Sequence, residues 1–395
     1  MKKIIILHHV SAQGGGTKSL LDMAVMLQKN YEVVICLPKG SKETIAYAQK
    51  YGITCYEVKT PIPSLNIYSG FPGYLNRYFL SRLMRFRYNK KLVEELMGLK
   101  PDAIFFNTVV TTPIAKDIPD TVKNVCIVRE TFRKSIFNRI YKKVLEKKFA
   151  GVAYIAKHEK SVINLTRPIQ TVVPDCLEPR EVQQYSMEEA RSVCNLPQDK
   201  FCVLFMGGMV QIKGLDILLK AMQRMDENYV AVVGGTVAPD ILKISYIMKH
   251  FYNIGYAKYL LCVRKLLPRM VKDGKIVLAG YVQDVAPYFS ACDTVVFPST
   301  SAHQPRPGIE AGVFHKSVVL SDYKATKEYF LDGYNAVVFA PGNGRQLAEK
   351  IRYLREHPGE NERLAENNYK ASEQKHNYKA TQDKLKRFFE YILRT

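Results

Sequence analysis

The sequence predicts an α/β protein built from two doubly wound, Rossmann-like domains. Three observations lead to this class. Short apolar runs recur along the 395 residues. The segments between them carry helical spacing, as Leu215, Leu218, Leu219 and Met222 do. A polar stretch over 174–200, with Pro174, Pro179 and Pro197, splits the runs into two series. Strand and helix alternating twice over give two parallel sheets, and a chain this long exceeds one ordinary core.

Ile4-Ile5-Ile6-Leu7 opens the first series, and its uniform apolarity suits a parallel strand buried on both faces. Gly14-Gly15-Gly16-Thr17 follows and begins a helix predicted over 18–28. Runs at 33–37, 53–58, 103–106, 125–128, 152–156 and 171–173 complete this series. The second series lies at 202–206, 230–233, 276–279, 294–297, 318–320 and 336–339. Residues 1–175 therefore read as an N-terminal domain, 176–200 as a linker and 201–376 as a second domain. Residues 377–395 read as a basic helix that packs within the second domain or crosses back to the first. Ligands of such sheets bind outside the carboxyl ends of the strands. Two facing domains would present two such edges to one central cleft.

Composition is that of a folded protein, 47% hydrophobic and 24% charged. Lys+Arg 58 against Asp+Glu 37 gives a net charge of +21, which favours anionic partners. The eight cysteines are scattered with no Cys-x-x-Cys pair, so they read as reduced core residues rather than disulfides or a zinc site. After Met1-Lys2-Lys3 the apolar run stops at Leu7, too short for a signal peptide. No run approaches the ~18 apolar residues of a membrane span. The expected location is cytoplasmic, with peripheral contact at the inner face of the membrane.

The motifs fall at strand ends. Gly15 and Gly16 stand where backbone can approach a phosphate at a helix N-terminus, or where a flexible turn is needed. Gly207 and Gly208 follow the first run of the second domain, and Lys213 stands just before the next helix. Lys213 reads as a diphosphate ligand or as a solvated helix-entry lysine. Gly280 ends another run, where a base can stack. Phe297-Pro298-Ser299-Thr300 leads into a loop with His303, Arg306 and Gly308, then Glu310 in the first turn of a short helix. A carboxylate there grips a ribose, or simply complements the helix dipole. Arg129-Glu130 ends a first-domain run as a cleft pair or a buried ion pair. No carboxylate or histidine cluster has metal-ligand spacing.

Two segments are basic and aromatic together. Residues 68–91 carry Tyr68, Phe71, Tyr74, Tyr78 and Phe79 among others, with six Lys/Arg and no acid from 77 to 91. Residues 243–275 mix Tyr246, Phe251, Tyr252 and Tyr256 with eight Lys/Arg and one Asp. Such stretches suit an anionic membrane interface, or form core helices with solvated basic faces.

Taken together, these strand ends resemble those of the GT-B glycosyltransferases, specifically the GT4 family of retaining enzymes. The similarity covers nearly the whole chain and is strongest over 201–341. Gly14-Gly15-Gly16 matches the family's first glycine loop, and 207–214 its Gly-Arg-Leu-x-x-x-Lys-Gly loop. Pro298-Ser299 and Glu310-Ala311 match its Pro-Ser … Glu-Ala segment, and 332–336 its Asp-Gly-x-Asn-Gly stretch. The resemblance implies a GT-B fold and a nucleotide-sugar donor, a UDP- or GDP-sugar, with no further cofactor and no metal. It gives Lys213 the diphosphate and Glu310 the ribose, with Gly15, Gly16, Gly207, Gly208, Gly280 and Gly308 near the donor.

This chain also departs from the family. The first Glu of the Glu-x7-Glu pair falls on Ala302, the arginine before Lys213 on Gly208, and the first-domain catalytic histidine near Arg129-Glu130. His303, Gln304 and Arg306 are the candidates for sugar and phosphate roles, and Glu130 for the first-domain role. The implied reaction moves a sugar, with retention, to a glycan or lipid-linked acceptor, as in bacterial surface polysaccharide assembly. The alternatives are a catalytically impaired nucleotide-sugar-binding protein and a nucleotide-sugar epimerase. Nucleic-acid binding would rest on charge alone and leave the strand-end glycines unexplained.

Overall fold

The computed structural model describes residues 1–11, 14–65, 77–131, 138–176, 183, 185–236 and 238–394. Tyr68, Phe71 and Tyr74 lie outside the described residues, as does Pro179. The chain divides into two compact units, Met1–Cys176 with a returning C-terminal segment, and Leu177–Asn377.

Among the described residues, the first unit holds seven strands: β1 (Lys3–Leu7), β2 (Glu32–Pro38), β3 (Thr54–Val58), β4 (Ala103–Phe106), β5 (Lys123–Val128), β6 (Gly151–Tyr154) and β7 (Ile169–Val172). They form one sheet in the order β3-β2-β1-β4-β5-β6-β7. Every pairing is parallel, with Ile4 facing Val33 on one side and Ala103 on the other. The helices are α1 (Gly15–Gln28), α2 (Lys42–Gln49), α3 (Arg77–Met84), α4 (Asn89–Met97), α5 (Asn138–Lys148) and α6 (Lys157–Ile163). Successive residues of β1 serve different cores. Ile4 and Ile6 join one apolar cluster, Ile5 and Leu7 another. That two-sided burial is why the strand reads as an unbroken apolar run rather than an alternation. The α1 helix starts at Gly15, not Lys18, because Gly14 O already accepts from Thr17 N and Lys18 N.

The second unit begins with α7 (Met187–Val193), inside the stretch read as a linker. Ser186 Oγ caps it, accepting from Glu189 N at 3.2 Å. Buried Arg191 then ties α7 to the unit, donating to Ala291 O and pairing with Asp293 at 2.8 Å. Six strands follow: β8 (Phe201–Met206), β9 (Tyr229–Gly234), β10 (Ile276–Gly280), β11 (Thr294–Phe297), β12 (Ser317–Ser321) and β13 (Val337–Phe339). Their order is β10-β9-β8-β11-β12-β13, again all parallel. The helices are α8 (Leu215–Met222), α9 (Ile244–Lys249), α10 (Ile254–Lys272), α11 (Ala286–Ala291), α12 (Arg306–Val313), α13 (Gly344–Glu356) and α14 (Pro358–Lys375). Among the described residues, no helix is long and apolar enough to cross a membrane.

The last helix, α15 (Tyr378–Arg394), belongs to the first unit. Leu385, Phe388, Phe389 and Ile392 join the cluster that holds Ile4, Ile6 and Phe105. Phe389 meets Phe105 edge-on, ring centroids 5.3 Å apart. A Cβ at Gly151 would lie 2.2 Å from Ile392 Cδ1, so β6 must present a glycine there for α15 to seat. We expect Phe389→Ala to destabilise the first unit by about 3–5 kcal/mol. Urea unfolding followed by a probe on β1 or β4 measures this; a loss within ~0.5 kcal/mol would show that α15 does not complete that core.

Candidate functional site

An open parallel sheet binds ligands where its strand order reverses, at the carboxyl ends of the two strands flanking that point. In the second unit those strands are β8 and β11. The loop 207–214 leaves β8, and 298–305 leaves β11. The two are stitched together: Thr300 N donates to Ile212 O at 3.0 Å, and Thr300 Oγ1 to Gln211 O at 3.2 Å. At Gly214, where φ is +80°, a Cβ would stand 1.8 Å from Pro298 O, so only glycine lets the loops meet this closely.

Gly208, at the position of the family arginine, has φ +56°. A Cβ there would lie 2.8 Å from Thr236 O. Gly208 N donates to Gly234 O, and Met209 N to Thr236 O. The loop therefore packs its backbone against the end of β9, in a space that a side chain would need. Gly207 is close-packed in the same way, against the Phe205 ring and Lys213 Cβ.

These loops bring together the two candidates that matter most. Lys213 Nζ lies 2.9 Å from His303 Nε2 and 5.3 Å from the centroid of the Phe297 ring. His303 Nδ1 stands 2.8 Å from Ser301 O, which only an N–H can satisfy. Nδ1 therefore carries the proton, and Nε2 accepts from the lysine. Burial holds His303 well below its usual pKa, with the lysine charge adding to the effect. Burial also brings Lys213 down to about 8, partly offset by the Glu310 carboxylate. Lys213 is thus a half-buried, hydrogen-bonded ammonium rather than a freely solvated helix-entry residue.

Glu310 lies in the second turn of α12, not the first. The helix starts at Arg306 because Pro307 fits a first turn that needs no N–H from it, and Gly308 N and Ile309 N already bond to Pro305 O. Arg306 Nε pairs with Glu310 Oε1 at 2.8 Å, one turn apart, with side chains only 10% and 7% exposed. A cation at a helix N-terminus opposes the dipole, and the carboxylate offsets it. Gly308 packs α12 onto the Phe330 ring, which a Cβ would approach to 2.9 Å. Gly280 ends β10 and accepts from Gly235 N.

Sequence reasoning counted Phe297 only as a strand residue and gave Ser299 no role. Among the described residues, Ser299 Oγ and Gln304 Nε2 are buried without a hydrogen-bond partner in the same loop. Asn335, in the stretch likened to a family motif, closes a turn instead: it accepts from Leu331 N and donates to Tyr329 O.

Gly15, Gly16 and Glu130 belong to the first unit. Gly15 and Gly16 form the first turn of α1, and Gly16 O accepts from Asn107 Nδ2 at 3.4 Å. Arg129 does not pair with Glu130. Its guanidinium goes to Asn107 Oδ1 and Asp175. Glu130 accepts from Thr108 Oγ1, Val109 N and Arg129 N, while burial raises its pKa. Among the described residues, no group of His, Cys, Asp or Glu has the arrangement of a metal site.

The second-unit sequence matches the family described as glycosyl transferases group 1 over residues 186–371. A curated relative, the uncharacterized glycosyltransferase MJ1178 of Methanocaldococcus jannaschii, is 24% identical over 201 residues. The match takes in 51% of this chain and 51% of that protein, so the chain spans about half the length of this relative. HepE of Anabaena, solved with UDP and glucose, has a TM-score of 0.76 at 15% identity, covering 99% of this chain and 100% of that one. The sucrose-phosphate synthase of Thermosynechococcus elongatus has a TM-score of 0.75 at 14% identity, covering 99% of each chain. These likenesses establish the fold, which is that of the GT-B glycosyltransferases.

In the second unit, the Arg306–Glu310 pair can be tested directly. Arg306→Ala leaves a buried carboxylate without its partner and is expected to cost about 3–5 kcal/mol. The Arg306→Ala/Glu310→Ala double variant should be more stable than Arg306→Ala alone. A double-mutant cycle by urea denaturation measures the coupling; additive losses would show the pair to be uncoupled.

Proposed function

We propose that the protein transfers a sugar, with retention, from a nucleoside-diphosphate donor bound by the second unit to a glycan or lipid-linked acceptor. The observation that carries this reading is Lys213. Its ammonium is half-buried, oriented by His303 and set at the reversal point of a parallel sheet. A diphosphate is a ligand that matches such a cation, since a low-dielectric site strengthens the attraction. Support also comes from HepE, whose structures hold UDP and UDP-glucose.

In this reading Lys213 stabilises the charge that develops on the departing diphosphate. Glu310 receives the ribose hydroxyls on Oε2, while Arg306 fixes the carboxylate through Oε1. Ser299 Oγ and Gln304 Nε2 meet polar groups of the sugar. The backbone at Gly207, Gly208 and Gly280 borders the nucleotide. A donor phosphate oxygen takes the proton of the acceptor hydroxyl, as the GT4 resemblance implies, so no protein base is required. The setting is assembly of a bacterial surface polysaccharide. A second reading, a nucleotide-sugar-binding protein without turnover, is favoured by Ala302 and by the close packing that leaves Gly208 without an arginine's side chain.

Lys213→Ala and Glu310→Ala are each expected to weaken UDP-sugar or GDP-sugar binding at least tenfold by calorimetry. Unchanged affinity in both would remove the site. Product formation with a glycan or lipid-linked acceptor then separates transfer from binding alone. The pH response has opposite signs for ligand and fold. Above about pH 8 the free site loses the Lys213 charge, so donor affinity should fall. Over the same rise toward the unfolded lysine pKa the unfolded chain holds more protons, so the unliganded second unit should gain stability. Donor affinity that stays flat from pH 7 to 9.5 in the wild type would exclude Lys213 as the diphosphate ligand.

A further inference from the structure

The corner formed by α9, the turn 250–253 and the start of α10 is the most apolar exposed surface of the second unit. Among the described residues, seven large hydrophobic side chains in the chain are 60% or more exposed. Four of them, Ile244, Met248, Tyr252 and Ile254, lie within these eleven positions, and Phe251 between them is 51% exposed. Ile244 and Met248 share one face of α9 at i,i+4 spacing. The corner is firmly built. His250 packs at 4.3 Å from Tyr246 and 5.4 Å from Tyr256, ring centre to ring centre, and Nδ1 stands 2.8 Å from Tyr246 O. Asn253 caps α10 by accepting from Tyr256 N.

The charge of this element is one-sided. From 241 to 272 there is no Asp or Glu. Lys258, Arg264, Lys265, Arg269 and Lys272 are all exposed along α10. Arg264 donates to Leu242 O, and Lys243 pairs with Asp240 at 2.7 Å. Among the described residues, none of Lys249, Lys258, Lys265, Arg269 and Lys272 pairs with a carboxylate. The opposite face of α10, with Leu260, Val263, Leu267 and Met270, is in the core, so the basic face is fixed outward.

We propose that this corner docks the protein onto an anionic phospholipid surface, with Ile244, Met248, Phe251, Tyr252 and Ile254 entering the headgroup region and the α10 cations facing the lipid phosphates. A bilayer is the partner that needs both properties, apolar and aromatic side chains at headgroup depth beside unpaired bases. A nucleic acid has no use for exposed Ile244, Met248 and Ile254. A second copy would bring one acid-free basic face against another. The corner also abuts the proposed donor loop: a Cβ on Gly255 would lie 3.7 Å from Nε2 of Gln211, the residue opening the turn that ends at Lys213. Docking there holds the donor site close to a lipid-linked acceptor. That purpose rests on the transferase reading; the docking itself does not.

The test uses the full chain with vesicles of phosphatidylglycerol and phosphatidylcholine, or of phosphatidylcholine alone, in co-sedimentation at 0.1 and 0.5 M NaCl. Strong binding to the anionic vesicles, at least tenfold weaker binding to the neutral ones, and loss at high salt are expected. Two variants divide the surface: Ile244→Ser/Met248→Ser/Ile254→Ser removes the apolar corner, and Lys258→Glu/Lys265→Glu/Arg269→Glu reverses the face. Each should weaken vesicle binding at least tenfold while keeping the wild-type melting curve and UDP affinity, which also keeps this test separate from that of the donor site. Equal binding to neutral vesicles overturns the proposal, as does wild-type vesicle binding by either folded variant. Dimerisation that the apolar variant abolishes, without vesicle binding by the wild type, would assign the corner to a second copy instead.

Discussion

The contact between Gly214 and the Pro298 carbonyl governs the second unit's working end. It joins the loop after β8 to the loop after β11 across the reversal of strand order, and no side chain fits between them. With the two loops fixed, Thr300 can bond to Ile212 and Gln211. Lys213 then stands over Phe297 and reaches His303. Each of these contacts depends on a backbone approach that one methyl group would prevent.

Much of this was legible from the sequence. Among the described residues the strands fall on the apolar runs, and the inner ones stand out because a parallel strand covered on both faces needs apolar residues at nearly every position. Ile4-Ile5-Ile6-Leu7 shows the reason, its residues going alternately to two cores. Helix starts were harder to read. α1 begins three residues early, since glycine carbonyls accept as readily as any other, and α12 begins at Arg306, since a proline at its second position was counted as loop. Helix α7 was hidden in a polar stretch because its anchor is a buried arginine rather than an apolar stripe.

Pairwise contacts at the site were not legible. Sequence reasoning placed Lys213, His303, Arg306 and Glu310 near one another but paired none of them. Which imidazole nitrogen faces the lysine depends on a carbonyl two residues away, and Arg306 finds Glu310 only if the helix starts at the arginine. The reverse holds for Arg129 and Glu130, adjacent in sequence yet turned to different partners. Gly208, where the GT4 resemblance implies an arginine, reads in the sequence as a missing charge. Structurally it is a change of packing, in which backbone fills the place of a side chain against β9.

The return of α15 to the first unit has a consequence for how the chain is made. The residues that close the core around Ile4, Ile6 and Phe105 follow the whole second unit in the chain. A ribosome must finish Leu177–Asn377 before Phe388 and Phe389 emerge, so the part of that face not covered by α1 waits open while the second unit folds. At ~5–20 residues per second that wait lasts on the order of ten seconds or more. During that time the nascent first sheet offers chaperones an apolar surface that the finished protein conceals.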